Sequence, residues 1–241
     1  MAYRTDPRVA QRGVALGATD EGLRSYMLSV YNYMGLALAI TGLVAFVVGS
    51  TPALYIPIFT SPLKWVVMLA PLGFVFFLGA RMQSMSTGAA QITFWAFAAV
   101  MGLSMASIFL VYTGESIARV FFITAATFGA VSLYGYTTKR DLSGMGSFLF
   151  MGLIGIVIAS LVNLFLASSA LQFAVSVIGV LVFTGLTAWD TQRLKEEYLG
   201  GYARAGNDMV AKGAIMGALS LYLNFINLFM MLLQLFGGRR D

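Results

Sequence analysis

Residues 171–198 read LQFAVSVIGVLVFTGLTAWDTQRLKEEY. From Leu171 to Thr191 the one charged side chain is Asp190, and beyond Thr191 the charges crowd in with Arg193, Lys195, Glu196 and Glu197. A helix needs about 20 predominantly apolar residues to cross the hydrocarbon of a bilayer, and this run has that length. It also ends on a carboxylate that, so close to lipid, calls for a partner.

Outward from this run the pattern repeats. Comparable runs occupy Ser25 to Ser50, Lys64 to Met82, Ala89 to Tyr112, Ile117 to Thr137, Gly144 to Ala167 and Ala211 to Phe236. Inside lipid, backbone polar groups must be satisfied within the segment itself, so the runs predict helices. The gaps carry turn chemistry: STP at 50–52, SP at 61–62, TGES at 113–116 and KRDLSG at 139–144. The predicted fold class is an all-α integral membrane protein with seven transmembrane helices, over residues 25–237. A polar, mobile N-terminal tail is expected over residues 1–24 and a short C-terminal tail over 238–241. The tail mixes acids with its arginines, unlike a transit peptide, and the first run is longer than a signal-peptide core and lacks an A-x-A cleavage site.

Composition agrees. Apolar residues make up 59% of the chain and charged residues only 10%, against about a quarter charged in a soluble domain. Cysteine and histidine are absent, which excludes disulfides, thiol chemistry and imidazole catalysis; no cofactor is expected. The net charge of +5 is dispersed between apolar runs rather than gathered in a stripe, which argues against nucleic acid as a partner. Of the basic residues, eleven fall on the side of the N-terminus and four on the other, so the N-terminus is expected in the cytoplasm. Compact loops without an organelle address point to a bacterial plasma (inner) membrane.

Two charged residues abut oily sequence on that cytoplasmic side. Arg81 follows FVFFLGA at the end of the second run and Asp190 follows TGLTAW at the end of the sixth. One reading makes both interface markers, Arg81 by snorkelling. The other makes them an ion pair that latches the second helix to the sixth, with Thr184, Thr187 and Thr191 on the same interior face. The last run holds Gly213, Gly217, Ser220, Asn224, Asn227, Met231 and Gln234 at alternating steps of four and three, which line one seam. Small and amide side chains glue membrane helices together. A central helix whose seam, through Ser220, Asn227 and Gln234, lines a route for a polar solute is the alternative, and both readings bury it.

The stretch AWDTQRLK together with GALSLYLNFINLF in the last run resembles the Bax inhibitor-1 family, also called the transmembrane BAX inhibitor motif proteins, in its bacterial form. The likeness covers nearly the whole chain, including the helix number, the arginine closing the second helix and the polar last helix. It implies a seven-helix bundle with the C-terminal helix central, and a pH-sensitive leak of Ca²⁺. In that family an aspartate of the sixth helix shares a proton with one of the seventh, and an arginine of the second pairs with them; these positions are Asp190 and Arg81 here. The second aspartate is replaced by Asn224. Two close carboxylates resist double ionisation, whereas an amide donates to an ionised aspartate without taking up a proton. A blunted or displaced pH response is therefore expected.

Ca²⁺ takes six to eight oxygens, usually with several carboxylates. The expected outer surface offers Glu115 and Asp241, so no tight metal site is expected and Ca²⁺ would be the transported ion. No nucleophile with a base, paired aspartates or metal cluster suggests an enzyme. The competing expectation is a non-conducting regulator or scaffold that binds other membrane proteins, such as quality-control or cell-death machinery.

Overall fold

The computed structural model describes the backbone of residues 7–204 and 206–240, with side chains from residue 20 onward in those ranges. Its elements are α1 (Pro7–Ser50), α2 (Pro52–Phe59), α3 (Leu63–Arg81), α4 (Thr87–Met105), α5 (Ile108–Val111), α6 (Gly114–Thr137), α7 (Ser143–Leu166), α8 (Ser169–Gly200) and α9 (Asn207–Phe236). Seven helical segments are long and apolar enough to cross a membrane, and no β-strand forms among the described residues. Of the expected N-terminal tail, residues 1–6 lie outside the described residues, and from Pro7 the backbone is already helical and runs unbroken into the first span.

The ends of the spans follow the turn chemistry. Ser86, Thr113 and Ser168 cap α4, α6 and α8 by accepting the backbone N–H of Ala89, Ser116 and Leu171. Between STP and SP, where the sequence suggested turns alone, the eight-residue α2 forms with Pro52 at its start, a position that needs no N–H. The third span is interrupted at Ala106–Ser107, between α4 and α5.

The longest continuation of a helix past the C-terminal end of its apolar run is in α8, as a helical reading of Lys195, Glu196 and Glu197 implies. The apolar run ends near Thr191, yet the helix continues to Gly200. Residues 192–199 are mostly good helix formers, and Leu194 and Tyr198 continue the buried stripe of Thr187, Asp190 and Thr191. Asp190 consequently lies inside a helix, about 15 Å from its end at 1.5 Å per residue.

The last helix is central. Within its most apolar stretch 67% of residues are buried, against 17% for the α3 span and 11% for α7. It is surrounded by α1, α4, α6 and α8, while α3 leans on α4 and α7 on α8. On the α1 and α4 side, Tyr222 lies 2.7 Å from the Thr41 hydroxyl, which in turn donates to the carbonyl of Ala98. With its own hydrogen committed, Thr41 must accept from Tyr222. At the end remote from the N-terminus the tail after α9 folds back. Thr113 N–H donates to Gly238 O at 3.0 Å and Arg240 N–H to Val111 O at 2.9 Å, while the Ser116 hydroxyl accepts from Gly238 N–H at 2.8 Å.

Candidate functional site

Along the α8–α9 seam every member of the predicted polar line except Asn227 meets α8 or its continuation. Gly213 faces Tyr202, Gly217 faces Leu194, and Met231 lies against Gly179. Ser220 accepts from Arg193, Asn224 donates to Asp190, and Gln234 accepts from Ser176. Asn227 donates to its own helix, at the carbonyl of Leu223. The seam is thus filled by side chains of the neighbouring helix.

Its charged centre is Asp190, only 6% exposed. One carboxylate oxygen receives Asn224 Nδ2 at 2.7 Å from α9, and the other meets Arg193 Nη2 at 2.6 Å. Arg193 belongs to the same helix, one turn on, where residues three apart share a face. Its guanidinium also donates to Ser220 Oγ at 3.2 Å, stands 4.8 Å from the centre of the Trp189 ring, and lies 3.6 Å from Glu197. A carboxylate buried among apolar groups is tolerated when it is paired and hydrogen-bonded, and both conditions hold here.

The second-helix arginine is not the partner. Arg81 is exposed at the end of α3 and makes no ion pair among the described residues. The main partner of α3 is α4, and Arg81 ends its helix as an exposed cation favourable to the helix dipole. The expected Arg81 to Asp190 contact is replaced by Arg193 to Asp190. Arg193 had the aspect of a solvated charge only because the apolar run stops before it.

The neighbours of Asp190 in AWDTQRLK tie α8 to the rest of the bundle. Thr191 donates to Thr187 O and stands 2.9 Å from Ser132 of α6, which is 2.6 Å from the hydroxyl of Tyr31 in α1. Since each hydroxyl has one hydrogen, the bonds run from Tyr31 to Ser132 to Thr191. Gln192 clasps the α6–α7 loop, accepting Leu142 N–H and donating to Arg140 O, both at 2.8 Å. In that loop the hydroxyl and amide of Ser143 hold the Asp141 carboxyl below the ordinary aspartate range. Lys195 donates to Tyr136 O at 3.0 Å. Apart from the local Thr191 to Thr187 bond, these contacts join residues distant in sequence and left no trace in the chain.

Close backbone approach makes this convergence possible. A Cβ at Gly135 of α6 would stand 3.0 Å from the Cα of Ala188, so only glycine lets α6 press on α8 beside the site. Nearer the N-terminal face, Tyr26 stacks on Tyr198 at 5.0 Å and lies beside Tyr202, closing the bundle beyond Arg193. No group of three or more potential metal ligands gathers among the described residues.

Residues 23–241 match the family described as "Inhibitor of apoptosis-promoting Bax1". The chain is 54% identical over 225 residues to an uncharacterised protein of Rickettsia prowazekii (strain Madrid E), covering 92% of this chain and 93% of the relative. It is 50% identical over 220 residues to the inner membrane protein YbhL of Escherichia coli (strain K12), covering 91% and 94%. An uncharacterised protein of Caulobacter vibrioides is 46% identical over 234 residues, with 93% and 92% covered.

Proposed function

The chain belongs to the Bax inhibitor family of integral membrane proteins, and from that membership we propose that it forms a Ca²⁺ leak pathway held shut where α8 meets α9. The observation that carries this reading is Asp190, buried at 6% exposure and bonded at once to Arg193 and to Asn224 of the central helix. Separating the two helices requires breaking the bond to Asn224 and moving Ser220 away from Arg193. Protonating Asp190 removes the charge that holds Arg193 in place and so loosens the junction.

One carboxylate facing a guanidinium and an amide has no second acid with which to share a proton. Its response to pH is therefore less steep than that of a dyad. The distribution of basic residues supports an N-terminus in the cytoplasm, and the inner membrane location in the name of YbhL supports a bacterial plasma membrane. On this reading the protein is not an enzyme, since Asp190 serves structure and stands without a nucleophile. Ca²⁺ passes by weak coordination to hydroxyls, amides and carbonyls, because an ion that must leave cannot be held tightly.

A second reading, a non-conducting regulator that binds other membrane proteins, is favoured by the packing of the seam itself, whose polar residues face α8 and not a lumen. Ca²⁺ flux from liposomes containing only the purified protein decides between them. The leak reading expects flux that increases with Asp190→Ala and becomes steeper in pH with Asn224→Asp. Flux no greater than that of empty liposomes, in wild type and both variants from pH 5 to 8, refutes it.

A further inference from the structure

We propose that the slot between α1 and α6 binds one phospholipid of the leaflet on the N-terminal side, with an acyl chain inside the slot and the phosphate on Arg24. The slot has a volume of about 490 Å³ and lies between two of the helices long and apolar enough to cross a membrane. Its floor is Phe225 of the central helix together with the Tyr31–Ser132 hydrogen bond, and its walls carry Gly35 and Gly129. It continues toward the opposite face as a second apolar hollow of about 600 Å³, which shares Gly35 and Phe225.

The shape selects the occupant. At 2.6 Å, the Tyr31–Ser132 bond holds α1 and α6 too close for another helix, about 10 Å across, to reach Phe225. A hydrocarbon chain is narrow enough. Water is disfavoured because a site needs several polar partners to retain it, and the walls are almost wholly apolar. Apart from the mutually bonded Tyr31 and Ser132 hydroxyls, the lining has one charged group, Arg24, which is exposed and makes no ion pair among the described residues. The Tyr136 side chain stands on the opposite wall. A guanidinium at the headgroup level of an apolar slot is complementary to a phosphodiester, with which it forms charge-assisted hydrogen bonds.

Both wall glycines provide a test without backbone strain, because a Cβ at Gly35 or Gly129 meets nothing within 4 Å. The full-length protein is placed in nanodiscs with phosphatidylglycerol carrying a diazirine near the end of one acyl chain, irradiated, and mapped by peptide mass spectrometry. Label is expected on α9 at Phe225, which neighbouring helices otherwise enclose. It should fall about tenfold in Gly35→Leu/Gly129→Leu, whose side chains fill the slot. Arg24→Gln should lower labelling about fivefold with the phospholipid and leave it unchanged with a diazirine diacylglycerol that lacks phosphate. Absence of label from α9, or equal labelling in wild type and both variants, overturns the proposal. So does a dimer in native mass spectrometry that Gly35→Leu/Gly129→Leu dissociates, which would identify a second copy as the occupant. If the double variant fails to fold, the comparison of the two probes on Arg24→Gln still decides.

Discussion

The seam between α8 and α9 differs between its two halves. Toward the N-terminal face it holds an ion pair, an amide and a hydroxyl converging on Asp190. Toward the other face it holds Met231 against Gly179 and a neutral hydrogen bond of 2.8 Å between Ser176 and Gln234. Both halves are polar helix contacts, yet only the first contains a group whose charge can change. Polarity along a membrane helix therefore indicates burial, while the capacity to switch rests on a titratable residue and its immediate partners.

Arg193→Ala attacks the charged half and carries the largest expected effect. It leaves a buried carboxylate facing only an amide, at a cost of about 3 kcal/mol, near the low end for a broken buried pair because Arg193 is partly solvated. The loss should shrink as pH falls and Asp190 takes a proton. Thermal unfolding in nanodiscs at pH 7 and pH 5 measures both, and a pH-independent loss would erase the distinction between the halves.

Gly217→Leu tests packing in the same half without touching charge. A Cβ there would stand 2.7 Å from Leu194 and 3.4 Å from Val30, so overpacking of about 1–3 kcal/mol is expected, with no change in pH dependence. Gln234→Leu, in the neutral half, should cost about 1 kcal/mol at every pH, since the single hydrogen of the Ser176 hydroxyl can turn to Gln172 O instead. Smallest of all is Arg81→Ala. An exposed arginine with no ion pair among the described residues should change stability by less than about 0.5 kcal/mol and leave Ca²⁺ flux unaltered.

The same contrast explains what could be read from the chain. Hydrophobic length is a local property, so the seven spans and the buried seam of α9 were legible, and Asn224 was placed beside Asp190 through the resemblance. Arg193 was missed because the charges that follow Thr191 read as a solvated extension of the helix, with Arg81 as the expected partner of Asp190. A helix outlasts its apolar run when residues such as Leu194 and Tyr198 still have something to pack on. The Tyr31–Ser132–Thr191 bonds left no trace because serine and tyrosine are common in membrane helices, and their pairing is decided by three elements far apart in sequence. Arg81 misled for a related reason: sequence gives the depth of a residue along its helix, whereas the neighbour it faces depends on where that helix stands in the bundle.

The folded-back C-terminal tail sets the kind of motion open to the central helix. Three hydrogen bonds fasten the tail to the junction of α5 and α6, so α9 is hinged there and cannot slide along its axis without tearing them. A tilt of only ~5° about that hinge displaces Asn224, ~18 Å away at 1.5 Å per residue, by ~1.6 Å, while Gln234 barely stirs. Directed away from Asp190, that displacement stretches a 2.7 Å bond beyond hydrogen-bonding range, so the lever arm favours parting of the charged half of the seam first.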